Sequence, residues 1–323
     1  MTLLEVKNLD INYHAQGGIL KAVEGVSFSL EKGRSLGFVG ESGCGKTTLG
    51  MALMKLLPSN GFIGGGQIIF EGEDILKKNE EEMRKVRWRK ISMIFQAAMN
   101  ALNPVQRVGN QIVEAIMTHD PSLKKDEAFE MVEDLFKLVG IPKDRIKDYP
   151  HQYSGGMKQR AIIAMALACK PNLIIADEPT TALDVIVQDQ ILQEIKSLQE
   201  EFQMSIIFIS HDISVVAEVS HEIGIMYAGK LVEYGYREEV FESPRHPYTK
   251  ALLSSYPTLN GEKNRLTPIP GETPNLINPP TGCRFFDRCP VAVSLCKINP
   301  PQWVTISPTH KVLCYQCGRE CGI

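Results

Sequence analysis

A glycine-rich turn near the N-terminus constrains the fold of this chain more than any other feature. The turn runs from Gly40 to Thr47, reads Gly-Glu-Ser-Gly-Cys-Gly-Lys-Thr, and fits the pattern G-x-x-x-x-G-K-[ST]. The apolar run 35–39 before it predicts a strand, and the leucine spacing from Leu49 to Leu57 predicts a helix that continues to Pro58. A turn of this kind between a strand and a helix indicates a P-loop, which binds the phosphates of ATP or GTP.

The residues of this P-loop have separate predicted roles. Its glycines let backbone N–H groups point at the phosphates, and the N-terminus of the following helix adds positive potential. Lys46 is expected to reach the β- and γ-phosphates, and the Thr47 hydroxyl to coordinate Mg²⁺. Cys44 is interpreted as a small filler residue without a catalytic role. The residues of the loop that are predicted to contact the nucleotide are Gly40, Ser42, Gly43, Cys44, Gly45, Lys46, Thr47 and Thr48.

Two adjacent acids follow a second apolar run, Leu173–Ala176, which predicts a buried strand. Such a strand would bring Asp177 to Mg²⁺ and Glu178 to the attacking water as general base. The alternative interpretation is that the two acids cap the next helix. Taken alone, the acidic pair does not decide between these interpretations.

The remaining pattern predicts an α/β fold. Residues 3–30 alternate apolar and polar side chains in two runs and predict antiparallel strands, whereas residues 105–168 have a helical period and predict an inserted helical subdomain. The helix predicted over 185–202 separates the strand of Leu173–Ala176 from another apolar strand over 205–209. This order is typical of a parallel sheet with crossover helices.

The segment Tyr153–Arg160 resembles the signature loop of the ATP-binding cassette (ABC) family. The resemblance implies that Ser154, Gly155 and Gly156 cap the γ-phosphate of a nucleotide held by the opposite protomer. Ser154 is also a good N-cap for the apolar helix that follows it, which leaves free N–H groups pointing at an anion. The sequence departs from the family pattern at Tyr153, where leucine is usual.

The same resemblance assigns roles to four further positions. It implies that Gln96 is the Q-loop glutamine, which contacts Mg²⁺ or the water and relays the nucleotide state to the membrane subunit. It further implies that Ala182-Leu183-Asp184 is the D-loop at the dimer interface, that His211 contacts the γ-phosphate and steadies the water, and that Tyr13 stacks on adenine. Together with the P-loop and the acidic pair, the resemblance implies catalytic roles for Glu178, His211, Gln96 and Lys46, and an Mg²⁺ site of Thr47, Gln96 and Asp177.

The resemblance to this family implies a transport ATPase. Two cassettes would sandwich two ATP molecules head to tail, each between one P-loop and the opposite signature loop. The implied partners are two integral membrane permease subunits, a second cassette that is either identical or a paralogue, and, indirectly, an extracytoplasmic peptide-binding protein. No stretch approaches the ~20 apolar residues that a spanning helix needs, so a peripheral place on the cytoplasmic face of the membrane is expected. The net charge of -3 with mixed signs argues against a nucleic acid partner.

The C-terminal part resembles the extension of cassettes that serve dipeptide and oligopeptide permeases, notably at Glu242–Leu253, Ile269–Glu272 and Gly282–Phe285. Peptide uptake is therefore implied, with nickel uptake as an alternative within the same group and a soluble cassette ATPase as a more distant one. The change in composition near His246 predicts a nucleotide-binding domain over 1–245, with its helical subdomain over about 97–168, and a cysteine-rich extension over 246–323.

Six of the eight cysteines lie between Cys283 and Cys321, in a segment with few large apolar residues. The resemblance matches Cys283, Cys289, Cys296 and Cys314 to four family cysteines and leaves the roles of Cys317 and Cys321 open. Clustered thiols in a reducing compartment indicate a metal centre. The long spacings and the Cys289-Pro290 pair favour a [4Fe-4S] cluster, and Zn²⁺ is the alternative.

Overall fold

The computed structural model describes residues 1–96, 101–180, 183–255 and 269–320 of the 323-residue chain. Ala182 of the predicted D-loop and Cys321 of the cysteine group lie outside the described residues. The chain divides into two compact units. The first unit consists of residues 1–30, 35–76 and 209–323, and the second of residues 31–34 and 77–208.

The strands of the described chain are numbered in sequence order. They are β1 (Thr2–Ala15), β2 (Gly18–Glu31), β3 (Ser35–Val39), β4 (Gly61–Phe70), β5 (Glu73–Asp74), β6 (Ile91–Ile94), β7 (Leu173–Asp177), β8 (Ser205–Ser210), β9 (Glu222–Tyr227), β10 (Lys230–Tyr236), β11 (Trp303–Thr305) and β12 (Lys311–Leu313).

The α-helices of the described chain are numbered in the same way. They are α1 (Lys46–Leu53), α2 (Glu80–Val86), α3 (Val108–His119), α4 (Lys125–Leu138), α5 (Gly155–Leu167), α6 (Val185–Phe202), α7 (Ile213–Val219), α8 (Arg237–Glu242), α9 (Pro247–Ser254), α10 (Ser294–Ile298) and α11 (Tyr315–Glu320). None of these helices has the length and apolar composition that a bilayer-spanning helix requires.

The first unit contains an antiparallel sheet and a group of mixed strands. The antiparallel sheet has the order β2-β1-β4-β5, and the alternating burial along β2 shows that one of its faces is covered. Among the mixed strands, β3 runs parallel to β9, β10 runs antiparallel to β9, and the short β12 pairs antiparallel with β10. The predicted antiparallel strands of residues 3–30 are therefore confirmed, and a strand beyond residue 300 joins the same sheet as β10.

The second unit contains the predicted helical segment and parallel strands. Strand β7 pairs in parallel with β6, and β8 lies on the other side of β7. Every residue of β7 and of β8 is buried, which explains their continuous apolar runs. Helices α3, α4 and α5 fall in the region that the 3.6-residue period predicted to be helical.

Helix α1 is shorter than the sequence pattern predicted. The apolar spacing extends to Leu57, but the helix ends at Leu53 and Met54 is its C-cap. Lys55 has a φ of 50°, a left-handed conformation that terminates a helix. Leu56 N–H then donates to the Met51 carbonyl at 2.9 Å, which closes the helix end. The prediction of a helix to Pro58 was therefore wrong by about one turn.

Candidate nucleotide site

The P-loop connects β3 to α1, and two of its glycines are required by close backbone contacts. A Cβ atom on Gly40 would lie 2.0 Å from the Met226 carbonyl oxygen, and one on Gly45 would lie 2.4 Å from the Ala22 carbonyl oxygen. Gly45 also has a φ of 105°, which disfavours any side chain. The predicted glycine pattern therefore reflects the tight packing of this turn against strand β2 and the β9–β10 hairpin.

Lys46 lies inside the turn. Its side chain is buried, and Nζ donates to the Gly40 carbonyl at 2.6 Å and to the Glu41 carbonyl at 3.1 Å. Ser42, Gly43 and Thr47 are exposed. A lysine ammonium held by the loop backbone, beside an exposed Thr47 hydroxyl, fits the donor set that a nucleoside triphosphate and Mg²⁺ require.

Cys44 is buried in the same turn. Burial raises the pKa of its thiol, and the nearby Lys46 ammonium opposes this effect. Gly229 N–H donates to the Cys44 carbonyl at 2.9 Å, so the backbone of this residue anchors the loop to the β9–β10 turn. These observations agree with the interpretation of Cys44 as a filler residue rather than a reactive thiolate.

Tyr13 and His211 belong to the same unit as the P-loop. Tyr13 ends the register of β1 against β4, and its hydroxyl lies 3.1 Å from Thr48 Oγ1. His211 directly follows β8 and is exposed. The next residue, Asp212, caps α7 by accepting from Ser214 N–H at 2.8 Å, so the chain turns sharply at this position.

The second unit brings the predicted acids and the predicted glutamine to one edge of its sheet. In the parallel β6–β7 pair, Ile94 lies opposite Ala176, so Gln96 and Glu178 are each two residues beyond the same register position. Asp177 is 1% exposed at the end of β7, whereas Gln96 is exposed. Glu178 has a φ of 48°, and such strained backbone concentrates at functional sites.

The predicted signature loop starts α5, and the predicted D-loop aspartate starts α6. Ser154 Oγ accepts from Met157 N–H at 3.2 Å, and Asp184 Oδ1 accepts from Val187 N–H at 2.9 Å, so both residues are N-caps. Ser154 and Gly155 are exposed. A Cβ on Gly156 would lie 3.0 Å from Val187 Cγ1, which shows that the two helix starts are in contact. The exposed N-terminus of α5 can accept an anion.

Five cysteines of the C-terminal segment lie in the first unit as free thiols, namely Cys283, Cys289, Cys296, Cys314 and Cys317. Burial, together with the neighbouring thiols of Cys314, Cys296 and Cys289, raises the pKa of Cys283 to about 12. The hydrogen bond with the Cys317 thiol lowers the pKa of Cys314. Across the described ranges, with their gaps at 97–100, 181–182, 256–268 and 321–323, no three His, Cys, Asp or Glu side chains form a group that could hold a metal ion.

One charged contact of the P-loop is not visible in any sequence motif. The Glu41 carboxylate forms an ion pair with Arg288, a residue of the cysteine-rich segment. No local pattern could have predicted this pair, because 247 positions separate its members.

Comparison with known proteins assigns the chain to a family. The sequence model of the ABC transporter family matches residues 23–181, and that of the oligopeptide/dipeptide transporter C-terminal region matches residues 232–296. The dipeptide transport ATP-binding protein DppD of Lactococcus lactis is 48% identical over 95% of this chain and 89% of its own length. The oligopeptide transport ATP-binding protein OppD of Escherichia coli is 48% identical over 93% of this chain and 89% of its own length.

The chain belongs to the ATP-binding cassette transporter family. It is similar to the cassette MJ0796, solved as a dimer in a post-hydrolysis state with ADP and Pi, with a TM-score of 0.66 and 25% identity over 73% of this chain and 99% of that one. It is also similar to cbiO1 of Clostridium perfringens, part of the transporter complex cbiONQ, with a TM-score of 0.65 and 28% identity over 75% and 91% of the two chains. The predicted P-loop NTPase fold is confirmed, and this ABC protein is a transport ATPase.

The two family matches divide the predicted residues of this ABC ATPase unequally. The cassette match includes the P-loop, Gln96, the signature loop and the acidic pair, but ends before His211. The C-terminal match includes Cys283, Cys289 and Cys296, but ends before Cys314. The roles of the individual residues, and the boundary between 1–245 and 246–323, stay predictions.

Proposed function

We propose that this chain hydrolyses ATP at a head-to-tail pair of cassettes and thereby drives the import of dipeptides or oligopeptides. One observation carries the proposal: a complete P-loop, with Lys46 held on its own backbone, occurs in one chain with a C-terminal region of the oligopeptide/dipeptide type. The curated relatives are named as dipeptide and oligopeptide transport proteins, which favours peptides over the nickel alternative.

The proposed chemistry is mainly positioning and electrostatics. Glu178 accepts a proton from the attacking water, and His211 holds that water and the γ-phosphate. Lys46 stabilises the negative charge of the β- and γ-phosphates. Thr47, Gln96 and Asp177 are the residues that would hold Mg²⁺, which neutralises phosphate charge when it is bound. Tyr13 stacks on adenine, and Ser154, Gly155 and Gly156 cap the γ-phosphate bound by the partner cassette.

The proposed partners follow from this chemistry. Closing and opening of the cassette pair must act on two membrane permease subunits to move a peptide, with Gln96 as the relay. The second cassette is a copy of this chain or a paralogue. An extracytoplasmic peptide-binding protein delivers the cargo to the permease, and the chain works at the cytoplasmic face of the membrane.

The variant Glu178→Gln tests the function. It should retain ATP binding, because it keeps the shape of the site, but lose hydrolysis by a factor of at least roughly 100, because a general base typically contributes that much. Cells that carry only this variant should not grow on a defined peptide as the sole source of a required amino acid. The matched control is Glu200→Gln, the same change on the exposed face of α6.

Three results would separate the alternatives. Normal turnover by Glu178→Gln would remove this residue from the role of general base. If cells that carry only Glu178→Gln grow normally on peptides but lose nickel uptake, the chain is assigned to nickel transport. Purification from membranes without any hydrophobic permease subunit would favour a soluble cassette ATPase.

We further propose that Cys283, Cys289, Cys296 and Cys314 hold a [4Fe-4S] cluster, with Zn²⁺ as the alternative. The support is the sequence, in which six cysteines cluster between Cys283 and Cys321 with long spacings and a Cys289-Pro290 pair. Among the described residues these thiols do not form a group that could hold a metal ion, so the proposal requires them to come together when the group binds. The donor set of four sulfurs suits either group. When bound, the group would crosslink the four cysteines and so stabilise the fold of a segment with few large apolar residues.

Anaerobic purification followed by assays of iron, acid-labile sulfide and zinc tests the cluster. We expect about four iron and four sulfide per chain, since that is the composition of the cluster. A matched control is Cys169→Ser, which removes a thiol outside the cysteine-rich segment and should leave the iron content unchanged. A colourless protein with stoichiometric zinc would contradict the cluster and support the alternative.

A further inference from the structure

An ion pair joins the P-loop to the cysteine-rich segment. Arg288 Nη1 lies 2.7 Å from Glu41 Oε2, and Arg288 Nη2 lies 2.8 Å from Glu41 Oε1, so the two groups face each other through two parallel hydrogen bonds. Arg288 Nε also donates to the Pro270 carbonyl at 2.8 Å. Because Arg288 is 8% exposed, its guanidinium is fixed in direction by its surroundings.

Glu41 connects Arg288 to Lys46, the lysine of the P-loop, because its side chain and its backbone are both held by hydrogen bonds. Its backbone N–H donates to the hydroxyl of the buried Tyr248 at 3.0 Å. Its carbonyl accepts from Lys46 Nζ at 3.1 Å. The side chain of Glu41 is thus held by Arg288, its N–H by Tyr248, and its carbonyl contributes to the position of the Lys46 ammonium.

The position of Arg288 depends in turn on the fold of the cysteine-rich segment. Arg288 N–H donates to the Phe285 carbonyl at 3.1 Å within the short turn between Cys283 and Cys289. The Phe285 ring packs against the rings of Tyr227 and Tyr248 at centroid distances of 5.2 and 5.4 Å. Cys283 N–H donates to the Cys296 carbonyl at 2.7 Å, which fixes the start of the turn.

We propose that Arg288 is a positioning residue for the P-loop. Because the turn 283–289 holds Arg288 in place, the nucleotide affinity of this chain then depends on the folding of that turn. The inference rests on the proposed function, because it assumes that the P-loop binds ATP. Loss of Arg288 leaves Glu41 without its cation, so the carboxylate turns toward solvent and the loop loses one of its supports. By linkage, ATP binding stabilises the turn 283–289 by the same factor.

The variant Arg288→Met tests the inference. Titration of the full chain with a fluorescent ATP analogue and Mg²⁺ should show roughly 10-fold weaker binding, within the range of coupling between distinct sites. The matched control is Arg284→Met, in the same turn and also 8% exposed. Arg284 pairs with Glu24 of β2 at 2.5 Å and donates to the Ala228 carbonyl, but it makes no side-chain contact with Glu41. This variant should therefore weaken binding of the analogue less than Arg288→Met does.

A double-mutant cycle separates positioning from a general loss of stability. If Arg288 acts through Glu41, then Arg288→Met should have no further effect on affinity in a Glu41→Gln background. Additive losses in the cycle, or equal losses for Arg288→Met and Arg284→Met, would overturn the inference. If Arg288→Met does not fold, Arg288→Lys is the second variant, because it keeps the charge without the paired hydrogen bonds. It should weaken binding of the ATP analogue by a smaller factor than expected for Arg288→Met. Unchanged affinity in Arg288→Lys would also overturn the inference.

Two failures remain distinguishable in this design. If the unchanged chain does not bind the ATP analogue, the proposed function fails. If the unchanged chain binds it and the Arg288 variants bind it equally well, only the inference about Arg288 fails.

Discussion

At the scale of single residues, His246 makes stability depend on pH. It is 1% exposed, and its Nδ1 accepts a hydrogen bond from Tyr248 N–H at 3.0 Å as the N-cap of α9. A protonated ring could not accept this bond. Burial lowers the pKa of His246 from 6.5 to about 4, although the Glu233 carboxylate opposes the shift.

The sign of this shift predicts acid destabilisation. Between pH 6.5 and 4 the unfolded chain binds a proton at His246 that the folded chain does not, so the free energy of unfolding falls as the pH falls. The expected loss from this residue is about 2 kcal/mol between pH 7.5 and pH 5. Urea unfolding at the two pH values measures it.

The variant His246→Asn is the control for this prediction. Asparagine keeps an oxygen that can cap α9 but does not titrate. Between pH 7.5 and pH 5 the free energy of unfolding of this variant should therefore fall by about 2 kcal/mol less than that of the unchanged chain. Glu24 and Glu239, whose pKa values are lowered, lose their contributions at more acidic pH in both proteins. Equal pH dependence of the two proteins would contradict the prediction.

At the scale of elements, the sequence predicted those whose pattern is local. Helix α6 has the predicted bounds 185–202, and β3, β7 and β8 coincide with apolar runs to within one residue. Helix α1 was predicted too long, because apolar periodicity continues past Leu53 while the left-handed backbone at Lys55 ends the helix. Periodicity therefore identified elements better than it identified their ends.

Elements that depend on distant pairing were not predicted. Strands β11 and β12 have three residues each, too few for a visible alternation, and β12 forms because it pairs with β10, where Val312 lies opposite Glu233. Part of the buried core also depends on contacts between residues that are far apart in the sequence. Phe285 of the cysteine-rich segment packs on Tyr227 and Tyr248, so this segment shares a core that its own composition could not supply. The Glu41–Arg288 pair was missed for the same reason.

At the scale of the whole molecule, each chain carries one P-loop and one signature loop, so a closed pair of chains would contain two complete nucleotide sites. We expect Glu178→Gln with MgATP to have twice the 36.0 kDa mass of one chain in light scattering, because bound ATP that is not hydrolysed keeps the pair closed. Removal of ATP should return the mass to that of one chain.

Two substitutions at Ser154 test whether the signature loop closes this pair. In the Glu178→Gln background, Ser154→Asp keeps an N-cap for α5 but sets a negative charge against the γ-phosphate, so the mass should stay at that of one chain. Ser154→Asn is the neutral capping control, and it should still form the pair. A single-chain mass for Glu178→Gln itself would contradict self-pairing and make a paralogous cassette the partner. Pairing by Ser154→Asp would instead show that the signature loop does not face the phosphates, because a carboxylate could not replace the serine there without repulsion.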